Sequence, residues 1–358
     1  MKRENIVTID SVDEYDEIID VRSQSEFAID RIPGALNHPV LDDEERARVG
    51  TLYKQVSPFD ARKLGGVLSA RNIARHIENN FSSRPREWRP LVYCWRGGQR
   101  SGAMAHILGE IGWRVARLQG GYQSYRRNVL AQLDALPATL TFHVLCGPTG
   151  SGKSRLLHAL AAQGAQVLDL EGIAQHKGSV LGSLPGQPQP SQKWFESQLV
   201  DMLGHIDPSA PIWVESESRK IGAIQLPTAL LMRIRASHCL RVEPPLTERV
   251  RFLIEEYPHM LSDPAMLKSR LSQLSALQAS DTINRWMRLI DSGAWESLVR
   301  DLLENHYDPL YLRSIGKSYP TLDTAPVLRP LHLDASGMNE CAREIIANYP
   351  TMSSLAQV

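Results

Sequence analysis

The chain has 358 residues, 42% of them hydrophobic and 22% charged, with 40 Lys and Arg balanced by 40 Asp and Glu. That length allows two domains with separate cores, and the zero net charge excludes a general electrostatic pull on nucleic acid or membranes, so any RNA contact must use a local basic patch. The Met1-Lys2-Arg3 start leads into mixed polar sequence, no apolar run approaches a membrane span, and the four cysteines form no C-x-x-C pair. A signal peptide, a membrane span, structural zinc and a disulfide framework are therefore not expected, and a cytoplasmic, reducing location is.

Short β-branched runs at Ile6-Ile9 and Glu17-Val21 read as strands, and Pro33-Gly34 as a turn. Ala70-Asn79 reads as a helix, Pro90-Tyr93 as a buried strand ending at Cys94, Ser101-Gly109 as a helix and Val115-Leu118 as a strand. Tyr125-Leu136 is a helix leading to a boundary at Pro137-Ala138-Thr139, which places domains at 1–137 and 138–358. Strands at Thr141-Cys146, Gln166-Leu170, Ile212-Val214 and Cys239-Val242, with a helix from Lys153 to Ala162, give a βαβ pattern with a parallel sheet. Gly178-Ser191 is a Gly/Pro/Ser/Gln-rich loop of functional length. Helical periodicity then runs through Val250-Ile254, Met266-Leu277, Ile283-Ile290 and Leu298-Leu303, with a last strand at His332-Leu333 and a closing helix at Met338-Ala347.

Two stretches carry chemistry. The first is Cys94-Trp95-Arg96-Gly97-Gly98-Gln99-Arg100, between a strand and a helix. Loop amides, a helix N-terminus, and Arg96 and Arg100 would favour a Cys94 thiolate and hold an anion above it, while Gly97 and Gly98 permit a tight cradle. A cysteine meant only for packing would not be followed by two guanidinium groups. Asp20-Val21-Arg22, Glu26-Phe27 and Arg31-Ile32-Pro33-Gly34-Ala35 resemble the rhodanese signature, which puts Cys94 at the position of the persulfide cysteine. Five residues separate Cys94 from Arg100, one more than in ordinary sulfurtransferases of this fold. The longer loop resembles that of the related cell-cycle tyrosine phosphatases and suits a phosphate or selenophosphate. Asp20 and Arg22 are expected to form a structural ion pair.

The second stretch, Gly147-Pro148-Thr149-Gly150-Ser151-Gly152-Lys153-Ser154, is a full Walker A pattern in a strand–loop–helix setting. Its amides cradle two phosphates, Lys153 bridges their oxygens, and Ser154 is the ligand for Mg²⁺ where Mg²⁺ is used. The partner acid is Glu215 or Glu217, as a base or holding a metal-bound water, with Asp169 and Glu171 as further candidates. A Glu where Walker B sites usually have Asp weakens the case for ordinary ATP hydrolysis. Cys146 is expected to pack beneath the loop. For RNA, Arg114, Arg117, Tyr122, Tyr125, Arg126 and Arg127 mix aromatics with cations, although the same run reads equally as an amphipathic linking helix. Gln187-Phe195 has a similar texture, Trp286-Trp295 reads as helical core, and Arg249 and Arg251 as exposed helix charge.

The cysteine loop followed by Walker A resembles the bacterial tRNA 2-selenouridine synthases. The resemblance covers almost the whole chain, including Leu41-Arg46, Val49-Lys54, Gly120-Gly121-Tyr122, Gln189-Gln192 and Glu215-Gly222. It implies an α/β chain with an N-terminal rhodanese-like domain, a P-loop NTPase-like parallel-sheet domain and a helical C-terminal part. It further implies a tRNA substrate with 2-thiouridine at the wobble position, S-geranylated with geranyl diphosphate. Selenium from selenophosphate then replaces the geranylthio group, with Cys94 accepting it as a selenylsulfide while Arg96, Arg100 and the loop amides hold the departing phosphate. Assigning geranyl diphosphate to the Walker A loop follows from electrostatic stabilisation of a diphosphate leaving group; the motif alone equally suits ATP. No tightly bound cofactor is expected, and a selenophosphate synthase is the expected supplying partner. The alternatives are an ATP-dependent RNA sulfurtransferase or kinase, and a phosphatase-like or regulatory rhodanese module.

Overall fold

The computed structural model describes residues 5–179, 182–183, 186–276 and 278–349. The Met1-Arg3 start, Leu277 and part of the Gly178-Ser191 loop lie outside them. The chain forms two compact units, one of Met1–Leu133 with Pro190–Asp201, the other of Asp134–Gln189 with Met202–Val358. Sequence alone placed a single division at 137/138. Pro137 instead lies in the last turn of a helix that runs from Gly121 to Thr139.

In the first unit, β1 (Ile6–Val7), β2 (Glu17–Asp20), β3 (Leu36–Asn37), β4 (Pro90–Tyr93) and β5 (Ala116–Leu118) form a parallel sheet in the order β1-β5-β4-β2-β3. β4 is central and wholly buried, as its uninterrupted apolar run requires. Its end delivers Cys94 to the carboxyl edge of the sheet, where open α/β sheets place their ligands. Ile19, Ile73, Val92, Phe81, Trp88, Met104 and Leu108 make up the core beside it. The helix expected at Ala70-Asn79 starts much earlier, at Pro58, where Ser57 accepts the Asp60 amide at 3.2 Å and Pro58 occupies the first turn. The expected strand through Ile9 stops at Val7, and Ile9 opens a 3₁₀ turn.

In the second unit, β6 (Phe142–Cys146), β7 (Gln166–Leu168), β8 (Ile212–Glu215), β11 (His238–Val242) and β12 (Val327–Leu328) are all parallel, in the order β12-β11-β6-β8-β7. A separate antiparallel pair joins β9 (Lys220–Ile221) to β10 (Ile224–Gln225). β6 is central, and the helix Lys153–Ala162 that follows its loop packs into the main core with Leu156, Leu157 and Leu160. The strand expected at His332-Leu333 is absent, and the edge strand is Val327–Leu328. Pro330 has no N–H to continue a ladder. Leu333 instead precedes the N-cap Asp334 of the helix Ala335–Asn348 and is buried in one cluster with Met338, the arrangement of a hydrophobic staple. The C-terminal periodicity resolves into a helical cluster in which Trp286 is fully buried and Trp295 packs alongside. Among the described residues no helix is long and apolar enough to cross a membrane.

Candidate active sites

In the first unit Cys94 is 2% exposed, and its Sγ accepts the Ser101 hydroxyl at 3.4 Å while lying 3.4 Å from the Arg96 carbonyl. The loop turns at Gly97 and Gly98, and Gly98, with φ 81°, caps the helix Gln99–Ile111 without a side-chain cap bond. A side chain at Gly98 would be strained by that φ, and its Cβ would lie 2.6 Å from Arg117 Nη1. Helix N-terminal amides with no capping side chain are oriented toward an incoming anion. Arg96 and Gln99 are exposed, and Trp95 is 39% exposed with its ring stacked at 5.2 Å on Tyr122. Arg100 is held by Glu26 at 2.8 Å, and Glu26 also pairs with Arg46 at 3.1 Å. Burial raises the Glu26 carboxyl, but the bond to Arg100, its charge and the Ser23 amide outweigh that and leave it below its ordinary value. Arg100 is thereby committed to Glu26 through both of its terminal nitrogens. Asp20 and Arg22 form the expected buried pair at 2.6 Å.

The RNA candidates separate. Tyr122 and Tyr125 are 2% and 6% exposed, so neither offers a ring face to a base. Tyr122 donates from its hydroxyl to Asp30 at 2.7 Å, lies 4.0 Å beneath the Arg22 guanidinium, and donates its backbone N–H to the Cys94 carbonyl at 2.8 Å. Gly121 is close-packed there, since a Cβ would collide with that carbonyl. Arg126 is consumed by Glu196 and Asp30, and Arg117 donates to the Gly98 carbonyl at 3.1 Å, bracing the cysteine loop. Only Arg114 and Arg127 of the six stay exposed. The other aromatic run is absorbed too: Phe195 is fully buried, and Trp194 carries the Arg31 guanidinium 3.8 Å from its ring.

In the second unit, Gly147–Ser154 borders a cleft of about 750 Å³. Lys153 donates to the Gly147 carbonyl at 2.9 Å. Gly152 caps the helix in a left-handed conformation, and Gly147 is packed against Ser151 and the Val242 carbonyl. Ser151 is fully buried, and among the described residues its Oγ has no hydrogen-bond partner. Arg249, expected as exposed charge, is 5% exposed and donates to the Thr149 carbonyl at 2.7 and 3.0 Å while pairing with Asp308 at 2.6 Å. It clamps the loop at Thr149, an anchor no local motif announces. Arg251 is exposed and pairs with Glu248. Cys146 is buried at the end of β6, as expected.

Glu215 is 5% exposed, and among the described residues its Oε1 has no hydrogen-bond partner. Burial pushes the Glu215 carboxyl up, against the pull of Lys153 and Ser154. Glu217 is pushed up to about 8 by burial and by Glu215. Glu171 joins them, pushed up to about 9 by burial and by Glu215 and Glu217. Asp169 instead caps the helix Leu170–Ala174 through the Gly172 amide and meets His158 at 2.9 Å. The rest of the lining is mixed: Leu253, Tyr257, Leu310, Tyr311, Ile315 and Tyr319 give an apolar and aromatic portion, and Arg155, Lys177, Arg219, Arg235 and Glu256 a charged one. Sequence reasoning missed Ser101, Glu26 and this lining. Ser101 directly follows Arg100 and Glu26 sits in the quoted signature, so both had a local signal; the lining comes from separate elements and had none.

The profile of the tRNA 2-selenouridine synthase AAA domain matches residues 140–290, and that of the rhodanese-like domain matches residues 7–128. A tRNA 2-selenouridine synthase of Nitrosomonas europaea is 36% identical over 260 residues, a match that covers 72% of this chain and 66% of that protein. One of Bdellovibrio bacteriovorus is 30% identical over 353 residues, covering 85% and 90%. One of Shewanella halifaxensis is 32% identical over 333 residues, covering 84% and 89%. With a rhodanese-like domain preceding this AAA domain, and with relatives matched over most of their length, the chain belongs to the tRNA 2-selenouridine synthase family.

Proposed function

We propose that this chain is a tRNA-modifying transferase that converts wobble 2-thiouridine to 2-selenouridine, by S-geranylation at the P-loop cleft and selenium transfer at the Cys94 loop. The observation that carries the reading is the composition of the cleft. A cradle with Lys153 and further cations shares one cleft with a group of apolar and aromatic side chains, which suits the two halves of an allylic diphosphate. In the first step the thiocarbonyl sulfur attacks C1 of the geranyl group, the C–O bond breaks, and diphosphate leaves with the electron pair while the uracil N3 proton is lost. Lys153 and the loop amides stabilise charge that grows on the leaving group.

A divalent cation fits this cleft. The Ser154 hydroxyl and the unpartnered Oε1 of Glu215 would hold it, with water and phosphate as the remaining ligands. When bound, it adds positive charge to the diphosphate.

In the second step a C2–Se bond replaces the C2–S bond, geranylthiol leaves, and the P–Se bond is hydrolysed to phosphate. The helix N-terminus that follows Cys94, with Arg100 in the same loop, suits the phosphate portion of selenophosphate, and the Cys94 thiolate acts without oxidation: it displaces geranylthiol at C2 and is itself displaced by the hydrogen selenide that hydrolysis of the P–Se bond releases. Exposed Trp95 provides an aromatic surface beside it.

The test is mass spectrometry of thiouridine-containing tRNA incubated with geranyl diphosphate, with and without selenophosphate. Lys153→Ala is expected to slow geranylation by about a hundredfold or more, the range for losing one charge-stabilising group. Cys94→Ala is expected to spare geranylation and stop selenation. Equal loss of both steps in a folded Cys94→Ala protein would refute the division of labour. ATP turnover without geranyl transfer would refute the substrate.

A further inference from the structure

We propose that the helical hairpin Asp43–His76 is an RNA-docking surface, with Tyr53 and Phe59 stacking on unpaired bases and Lys54, Arg62 and Arg71 on neighbouring phosphates. The inference rests on the reading that the substrate is tRNA. The helices Asp43–Gln55 and Pro58–His76 pack closely, with Gly65 against Val49, and turn Ala61, Leu68 and Ile73 inward. The other side needs explaining. Tyr53, Val56, Phe59 and Val67 are 53%, 71%, 66% and 62% exposed, four of the fourteen exposed large apolar side chains among the described residues. Scattered exposed apolar side chains are ordinary, but three at the tip of one hairpin, with Val67 farther along its second helix, mark an interaction surface.

The charge pattern chooses the partner. Residues 43–76 carry seven Lys and Arg against four Asp and Glu, in a chain whose total is balanced. Three of those four acids are Asp43, Glu44 and Glu45, in the first turn of the first helix and away from the tip. Phe59, Lys63, Val67 and Arg71 recur every four residues, so they share one helix face, and all are exposed. Lys63 lies 5.0 Å from the Phe59 ring and pairs with Asp60, whereas no ion pair engages Lys54, Arg62 or Arg71 among the described residues. Aromatic faces interleaved with unpaired cations match single-stranded RNA, where every base has a π-face and every link a negative charge. An apolar protein partner would leave those cations desolvated and unpaired. The Arg114–Arg127 run does not compete for the role, because its tyrosines are buried.

The experiment measures binding of the intact chain to a thiolated tRNA by fluorescence anisotropy across a salt series, together with geranylation kinetics. One variant carries Tyr53→Ala and Phe59→Ala, the other Lys54→Gln, Arg62→Gln and Arg71→Gln. All five positions are exposed, and thermal unfolding checks that the fold holds. Each set is expected to weaken tRNA binding by about tenfold or more, consistent with ~1–3 kcal/mol per stacked base. The cation set should also lower the slope of log affinity against log salt by about 2 to 3. KM for tRNA should rise while geranyl diphosphate binding, read by calorimetry, stays unchanged. Unchanged tRNA affinity and slope in both variants would overturn the proposal, and a change in self-association alone would assign the hairpin to a protein contact. If the unaltered chain bound no tRNA, the functional reading itself would fall with it.

Discussion

Glu171, Glu215 and Glu217 share the charge of one ammonium, Lys153, in a cleft where burial raises all three carboxyls. One cation cannot hold three buried carboxylates ionised, so protons stay on them to higher pH. The folded-state values are raised, so the folded chain holds these protons more tightly than the unfolded chain does. That stabilisation is complete below the ordinary Glu value of 4.5 and is lost as pH climbs through about 8 for Glu217 and about 9 for Glu171. Glu171→Gln is therefore expected to flatten the fall in stability between about pH 6 and 9, and to make the chain more stable than the parent at the alkaline end. Urea unfolding across that range checks it; parallel pH profiles for the two proteins would show that Glu171 is not a strained carboxyl.

Among the elements, the helix Gln192–Gly204 has the least expected allegiance. Through Asp201 it belongs to the first unit, although the chain has by then already built β6 and β7 of the second. Ser197 donates to Asp30 at 2.7 Å, Glu196 pairs with Arg126, and Trp194 stacks on Arg31. A fragment ending at Pro137 leaves Asp30 without one hydroxyl donor and Arg126 without its nearer carboxylate. It is expected to melt several degrees below the corresponding transition of the intact chain, since unsatisfied buried groups cost about 1–3 kcal/mol each. Added peptide spanning 190–204 should restore part of the loss in a thermal shift assay, and no shift would deny the helix this role. The elements themselves were legible to different degrees. Lys153–Ala162 matched its expected ends because Walker A dictates where that helix starts. The start at Ser57-Pro58 was written in capping residues but masked by Gly65-Gly66, which argue locally against a helix and are tolerated because one of them packs on Val49.

At the scale of the molecule, two parallel sheets have separate cores. Heat is expected to unfold them in two calorimetric transitions rather than one. Geranyl diphosphate should raise only the transition of the P-loop unit, by an amount that grows with ligand concentration. A single transition, or a matching rise in both, would count against independent units. The sequence by itself determined the parallel-sheet architecture of the second unit, the α/β character of the first, the cysteine loop and the phosphate loop. These rest on local facts: a strand, a glycine-bearing turn and a helix N-terminus adjoin in the chain, so spacing and residue type suffice. Only the tertiary structure decided that Tyr122 and Tyr125 are core rather than RNA contacts, that Arg249 clamps Thr149, and that Glu171 joins Glu215 and Glu217. Those outcomes depend on which distant segments meet: helical periodicity allowed a buried face through Tyr122 and Tyr125 without choosing it over RNA contact, and pairs such as Arg249 with Thr149 join residues about 100 positions apart.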